Sequence, residues 1–192
     1  MNASDDTQNS SVPSRLTEIP VLVCGVRSFA WQAAGKTAEM VSHSQAQSRA
    51  ASVPPLVCHR NAVAQRLRVS ELQCYDVLEL YAFARPARPC LPTAAGLADA
   101  LGLPRPRSLM DGTTTLGDVA AALLQEIGAD TDKTLAPLAW QMARGGWLWG
   151  PLVLARTGLP DGNPSGQARH AMQAWDRRSP WEERAPDGAP GT

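Results

Sequence analysis

Three short apolar runs, VLVCGV, SFAWQ and TAEMV, lie between Val21 and Val41, and only turn residues separate them. Strands joined so briefly pair antiparallel, because a parallel return needs a crossover of a dozen residues or more. The runs therefore predict a three-stranded meander. Downstream the texture changes. SHSQAQSRAAS reads as a short polar helix capped by Ser42 or Ser44, and VPPLVCHR is a continuous apolar run bounded by proline, the pattern of a strand covered on both faces. NAVAQRLRV follows as a helix with Asn61 as its cap and Val63 and Leu67 at helical spacing. A weaker strand centred on CYDVL leads into LELYAFARP, which Pro86 stops. TAAGLADALGL carries Thr93 as N-cap, Leu97 and Leu101 one turn apart, and Gly102 as C-cap. TTTLGDVAAALLQEIGA puts Leu116, Val119, Leu123, Leu124 and Ile127 on one face and is ended by Gly128.

The order is β-β-β-α-β-α-β-α-α-α. A hairpin sheet that continues through helical crossovers into parallel strands is the plan of the ribonuclease H-like fold. The expected class is α/β: a mixed five-stranded sheet of order 3-2-1-4-5 with flanking helices and a small C-terminal helical appendage. One consequence is specific: the strand holding Cys24 should lie beside, and parallel to, the strand holding Cys58. By texture the chain divides into a disordered leader (1–18), the sheet-containing domain (19–128), the helical appendage (129–178) and a Pro/Gly-rich linker (179–192). In the appendage, TLAPLAWQMARGGWLWGPLVLARTGL suggests two short helices packed through Trp140, Trp147, Trp149 and Leu154, broken at Gly145-Gly146 and restarted near Pro151.

Eighteen basic and eighteen acidic side chains cancel, so no basic stripe announces nucleic acid, and any contact with DNA through this chain is expected to be local and weak. The polar start MNASDDTQNSSVPSRLTEIP has no apolar core behind a positive end and is not a signal peptide, and no apolar run is long enough to span a bilayer. A soluble, cytoplasmic protein without a membrane partner is expected. Cys24, Cys58, Cys74 and Cys90 form no close pair, and His43, His59 and His170 supply none either, which argues against a structural zinc site. Cys24 and Cys58, inside apolar runs, read as small buried thiols.

AWQAAGKT, Ala30 to Thr37, has the Gly-Lys-Thr of a phosphate-binding loop. Such a loop aims several backbone N–H groups at phosphate, which takes a glycine-rich turn. This copy has one glycine, and no apolar strand ending in a metal-holding Asp accompanies it. An active nucleotide hydrolase built on this loop is thus the least favoured reading. A hairpin turn between the second and third strands is expected instead, with Gly35 there for its backbone freedom and Lys36 in solvent.

PLVCHRNAVAQRL with CYDVLELYAFARPARPCLPTAAGLADALGL resembles 3′-5′ exonuclease domains of the DEDD type. The wider span from Val21 through MARGGWLWGPLVLA to AWDRRSPWEERAP resembles the N-terminal region of DinG-type ATP-dependent DNA helicases of alphaproteobacteria; its most specific words are DVLELYAFARPARPCLPT and WLWGP. The resemblance implies a nuclease-like region in front of a superfamily 2 motor. ATP and magnesium then belong to that motor and not to this chain, whose partners are DNA and the helicase motor, in cis or in trans.

Those exonucleases hold two divalent metals between four carboxylates. Here the first strand, VLVCGVRS, lacks the Asp-x-Glu. Aligned on His59, the second motif has Arg60 at its Asn and Ala64 at its Asp, and Asp111 or Asp118 is the remaining candidate, with Pro106 or Thr113 where the general base should be. No catalytic, cofactor-binding or metal-ligating residue is therefore assigned. Asp76 and Glu79 read as structural at a strand-to-helix junction, and His59 as a histidine at a strand end. The expected function is a non-catalytic exonuclease-like region of a DNA repair and unwinding helicase, which guides nucleic acid or organises the motor. The alternative is a free-standing protein-interaction module. Arg144, Trp147, Trp149, Arg85 and Arg88 are the residues that could form a nucleic-acid or partner surface, by base stacking if the tryptophans are exposed beside Arg144.

Overall fold

The computed structural model describes residues 15–130 and 135–159. Its core is a five-stranded sheet in the order β3-β2-β1-β4-β5, made of β1 (Val21–Cys24), β2 (Phe29–Gln32), β3 (Glu39–Val41), β4 (Leu56–Val57) and β5 (Tyr75–Asp76). The first three strands form the antiparallel meander, with Leu22 opposite Trp31 and Ala30 opposite Met40. β4 joins β1 in parallel, with Val21 opposite Leu56, and β5 joins β4 in parallel. The Cys24 strand thus lies beside the strand that runs into Cys58. This is the ribonuclease H-like mixed sheet of order 3-2-1-4-5.

The AWQAAGKT segment closes the β2–β3 hairpin. The Lys36 amide donates to the Ala33 carbonyl at 3.0 Å, and Gly35 sits at φ +67, in the left-handed region. The Lys36 side chain is exposed.

Alternation along the strands sends side chains to two cores. Leu22, Phe29, Trp31 and Val57 pack with α1 (His43–Ser52) and α2 (Arg60–Leu67), which are the two crossover helices. Val21, Leu56 and Tyr75 pack with α3 (Val77–Ala84), α4 (Ala94–Leu101) and α5 (Leu109–Ala129). The same second core takes in α6 (Leu135–Arg144) and α7 (Gly150–Thr157) through Leu135, Leu138, Ala139, Trp149, Leu152 and Val153. The helices of the C-terminal appendage are therefore part of the main hydrophobic core.

Several boundaries differ from the sequence reading. Ser42 does cap α1, through a capping box with Gln45, and Thr93 and Gly102 bound α4. Asn61, in contrast, lies inside α2, whose N-cap position is His59. The CYDVL strand shrinks to Tyr75–Asp76, because Asp76 accepts from the Leu78 and Glu79 amides and so starts a helix at Val77. α5 begins at Leu109, capped by Ser108, and runs through Gly128 to Ala129. Leu16–Glu18, within the span read as leader, form a 3-10 turn against α5. The linker at 179–192 lies outside the described residues.

Candidate functional site

β1 is where the sheet changes from antiparallel to parallel. α2 leaves one face of the sheet and α5 crosses the other, so a crevice opens past the carboxyl ends of β1 and β4, the place where open α/β sheets bind ligands. A cleft of about 430 Å³ occupies it. Its floor is Leu22, Val23, Cys24 and Cys58; one wall is His59, Ala62, Val63 and Arg66 of α2; the other is Pro92 to Ala94 and Pro106 to Leu109, with Gly112 behind.

These are the positions that the exonuclease resemblance singles out. Val23 and Cys24 occupy the strand that should carry the first acids, and Pro106 the place of the general base. The cleft brings them together, yet no carboxylate lines it. Asp111 turns to its own helix start, where its Oδ2 accepts the Arg107 amide at 3.2 Å and its amide donates to Ser108 Oγ at 3.0 Å. Asp118 is exposed and lines a different groove, beside Leu16, Gln32 and Gly35. Among the described residues no group of three or more His, Cys, Asp or Glu gathers to hold a metal ion.

The thiols on the floor are poor nucleophiles. Burial pushes both Cys24 and Cys58 up to about 12, against a small opposing pull of Arg66 on Cys24 and an added push from Asp76 on Cys58. Both are half-buried and face the cleft, where the sequence had suggested plain core residues.

Positive charge is what the cleft does carry. Arg66 reaches across from α2, and its Nη1 donates to the Gly25 carbonyl at 2.9 Å and to the Cys24 carbonyl. Nε and Nη2 of the guanidinium make no hydrogen bond among the described residues, so their donors are free. Arg107 is exposed on the opposite wall, and its guanidinium makes no hydrogen bond or ion pair among the described residues. Arg107 stands just ahead of the positive end of α5, a costly placement for an arginine without an anion, whereas Arg66 lies in the last turn of α2, where a cation is favoured. Neither was singled out in the sequence. For Arg66 a signal was present, since residues 49–96 hold six arginines against three acids and only the whole-chain balance hides the excess; Arg107 lies outside that stretch.

Asp76 and Glu79 are structural, as expected. Asp76 is 3% exposed, and its carboxylate serves two helices at once. Oδ2 accepts the Arg60 amide at the start of α2 at 2.7 Å, while Oδ1 accepts Leu78 and Glu79 at the start of α3. Glu79 pairs with Arg60 at 2.8 Å. Burial, then the Asp76 charge, push the Glu79 carboxyl above its ordinary value, while Arg60 and, more weakly, the Trp147 indole pull it back. Trp147 Nε1 is itself buried and forms no hydrogen bond of proper length and angle.

The proposed C-terminal surface needs correction. Trp149 is fully buried; its indole donates to the Asp76 carbonyl at 2.8 Å and meets Tyr75 edge-on at 5.2 Å. Arg85 holds Glu126 through Nε and Nη2 and donates to the Ala100 carbonyl at 2.7 Å, tying α3 to α5 and α4. Neither is available to a ligand. Trp147 is half-buried on Phe83, with ring centroids 5.0 Å apart. Arg144 is exposed, but the ring it covers, at 4.8 Å, is Trp140. Arg88 is exposed on the loop before α4. The five residues form no single surface, and the cleft draws on none of them. No helix among the described residues is long and apolar enough to cross a membrane. No family model, curated protein or solved structure matches the chain.

Proposed function

We propose that this chain is a non-catalytic, exonuclease-like module of an ATP-dependent DNA helicase, and that it guides a nucleic-acid strand for the motor. The observation that carries the reading is the cleft: a ribonuclease H-like sheet presents its binding crevice in the usual place, but lined by Arg66, Arg107 and His59 without a carboxylate. Two-metal phosphodiester hydrolysis requires acidic oxygens to hold the metals. A crevice with guanidinium groups in their stead is suited to holding a phosphodiester without cutting it. ATP and magnesium enter this reading only through the motor.

The test has two arms. The purified chain is incubated with 5′-labelled single-stranded DNA and magnesium or manganese, with intact DNA expected; degradation that Asp111→Asn or Asp118→Asn abolishes would sink the non-catalytic half. A DinG-type motor is then assayed for unwinding a forked duplex with and without this chain, fused or added. An unchanged unwinding rate in both formats removes the helicase half.

A further inference from the structure

The binding mode of the cleft can be taken further, resting on the reading of this chain as a nucleic-acid guide. We propose that the cleft seats one nucleotide of a single strand without any divalent metal, its phosphate between Arg66 and Arg107 and its base against the apolar walls.

Three observations converge. The first is the pair of guanidinium groups on facing walls. Arg66 is anchored by the Gly25 and Cys24 carbonyls, so its position is fixed before a ligand arrives, and its remaining N–H groups are free to meet an anion. Arg107 faces it from across the cleft with no partner among the described residues. Two arginines without an acid between them repel, and an oxyanion that accepts from both turns that repulsion into charge-assisted hydrogen bonds.

The second is the lining. Val63, Pro92, Pro106 and Leu109 give the cleft apolar walls, and its volume of about 430 Å³ lies in the lower part of the range for small-molecule sites, enough for one nucleotide rather than a duplex. The third lies at the rim. Val26 is 88% exposed, Leu91 67% and Met110 42%, and each is next in the chain, or next but one, to a lining residue. Half of the large apolar side chains exposed among the described residues therefore adjoin, in the chain, residues that line this cleft, and in the proposed binding mode following bases rest on them.

The experiment measures fluorescence anisotropy of a labelled twelve-residue oligothymidylate on the full chain, in EDTA and in magnesium, across a salt series. Binding of equal strength in EDTA and magnesium is expected, weakening as salt rises. Arg107→Ala should lower the salt slope by roughly 0.7, the value of one phosphate contact on a single strand, and Arg144→Ala, on the far helices, should leave it unchanged. Thymidine monophosphate should displace the oligonucleotide at concentrations where inorganic phosphate does not. A melting temperature for Arg107→Ala equal to that of the parent shows that folding is intact, and a lower one moves the comparison to Arg107→Lys, which keeps one charge and loses the fork.

Binding that EDTA abolishes, binding that Arg107→Ala leaves intact while Arg144→Ala removes it, or equal displacement by inorganic phosphate would each overturn the proposal. So would the absence of salt-dependent binding. None of these results depends on a motor, so failure here is distinct from failure of the helicase association, which the unwinding assay reads.

Discussion

Asp76 organises the strand ends with a single carboxylate whose ligands are backbone amides. Its side chain accepts three N–H groups from two helices while almost fully buried, and its carbonyl receives Trp149. Asp76→Ala leaves those amides without acceptors in a dry junction. The expected loss is about 3 kcal/mol, from two caps at about 1 kcal/mol each and the desolvation of an orphaned donor, and urea denaturation reads it. Glu79, one turn on, behaves differently. Its carboxyl is raised, so the folded state binds its proton more tightly than the unfolded chain does. That contribution is full below the ordinary carboxylate range and is lost as pH rises through the raised value. Glu79→Gln should therefore flatten the pH dependence of the melting temperature across that window, and at pH 7 it should cost far less than Asp76→Ala. Melts at pH 4 and pH 7 compare the two variants, and a large loss for Glu79→Gln at pH 7 would show that its pairing with Arg60 outweighs its burial. The structural role of this pair was legible in DVLEL, since an acid at the start of an apolar helix is a cap signal. That the same acid also caps α2 was not, because the partner amide lies sixteen positions away in the chain.

Elements whose signal is local emerged from the sequence as they stand in the fold. The turns of the meander, the α1 cap, which the sequence left between Ser42 and Ser44, both ends of α4 and the Gly35 turn each rest on residues close in the chain. The errors lie where a distant contact decides. β5 is short because Asp76 is drawn into capping, and α5 starts a full turn before Thr113, where the sequence pattern begins, because Ser108 and Asp111 fix its end. The tryptophans of WLWGP divide for the same reason: alternate positions of one short loop put Trp149 into the core and leave Trp147 at its edge. At the α6–α7 crossing the helices meet at Gly150, where an added Cβ would come within 2.4 Å of Ala143 Cβ and 2.7 Å of its Cα. Backbone on both sides cannot yield cheaply, so Gly150→Ala should destabilise by about 1 to 3 kcal/mol. Thermal denaturation tests this, and an unchanged midpoint would mean that the two helices can slide apart.

On the scale of the whole molecule, the division into a sheet-containing domain and a separate helical appendage makes a prediction opposite to that of the observed core. A separable appendage would let residues 15–130 fold alone. The second core instead runs without a break from Val21, Leu56 and Tyr75 through Phe83, Leu123 and Ile127 to Leu135, Trp149 and Val153. Removing α6 and α7 strips one side of α3 and α5, exposes a contiguous apolar face and leaves the Asp76 carbonyl without its indole donor. A chain ending at Asp130 is therefore expected to lose cooperative unfolding and to bind a hydrophobic dye, whereas the full chain should melt in one transition by circular dichroism and by tryptophan fluorescence alike. Trp149 makes the second probe informative, since its burial depends on the sheet and both terminal helices together. Two separated transitions in the full chain, or a sharp melt for the chain ending at Asp130, would restore the appendage as an independent unit. The cleft supplies the functional counterpart: its walls come from α2 and α5, and α5 is held in place by α7 along its far half. Loss of the terminal helices should thus weaken oligonucleotide binding even though no residue of α6 or α7 lines the cleft.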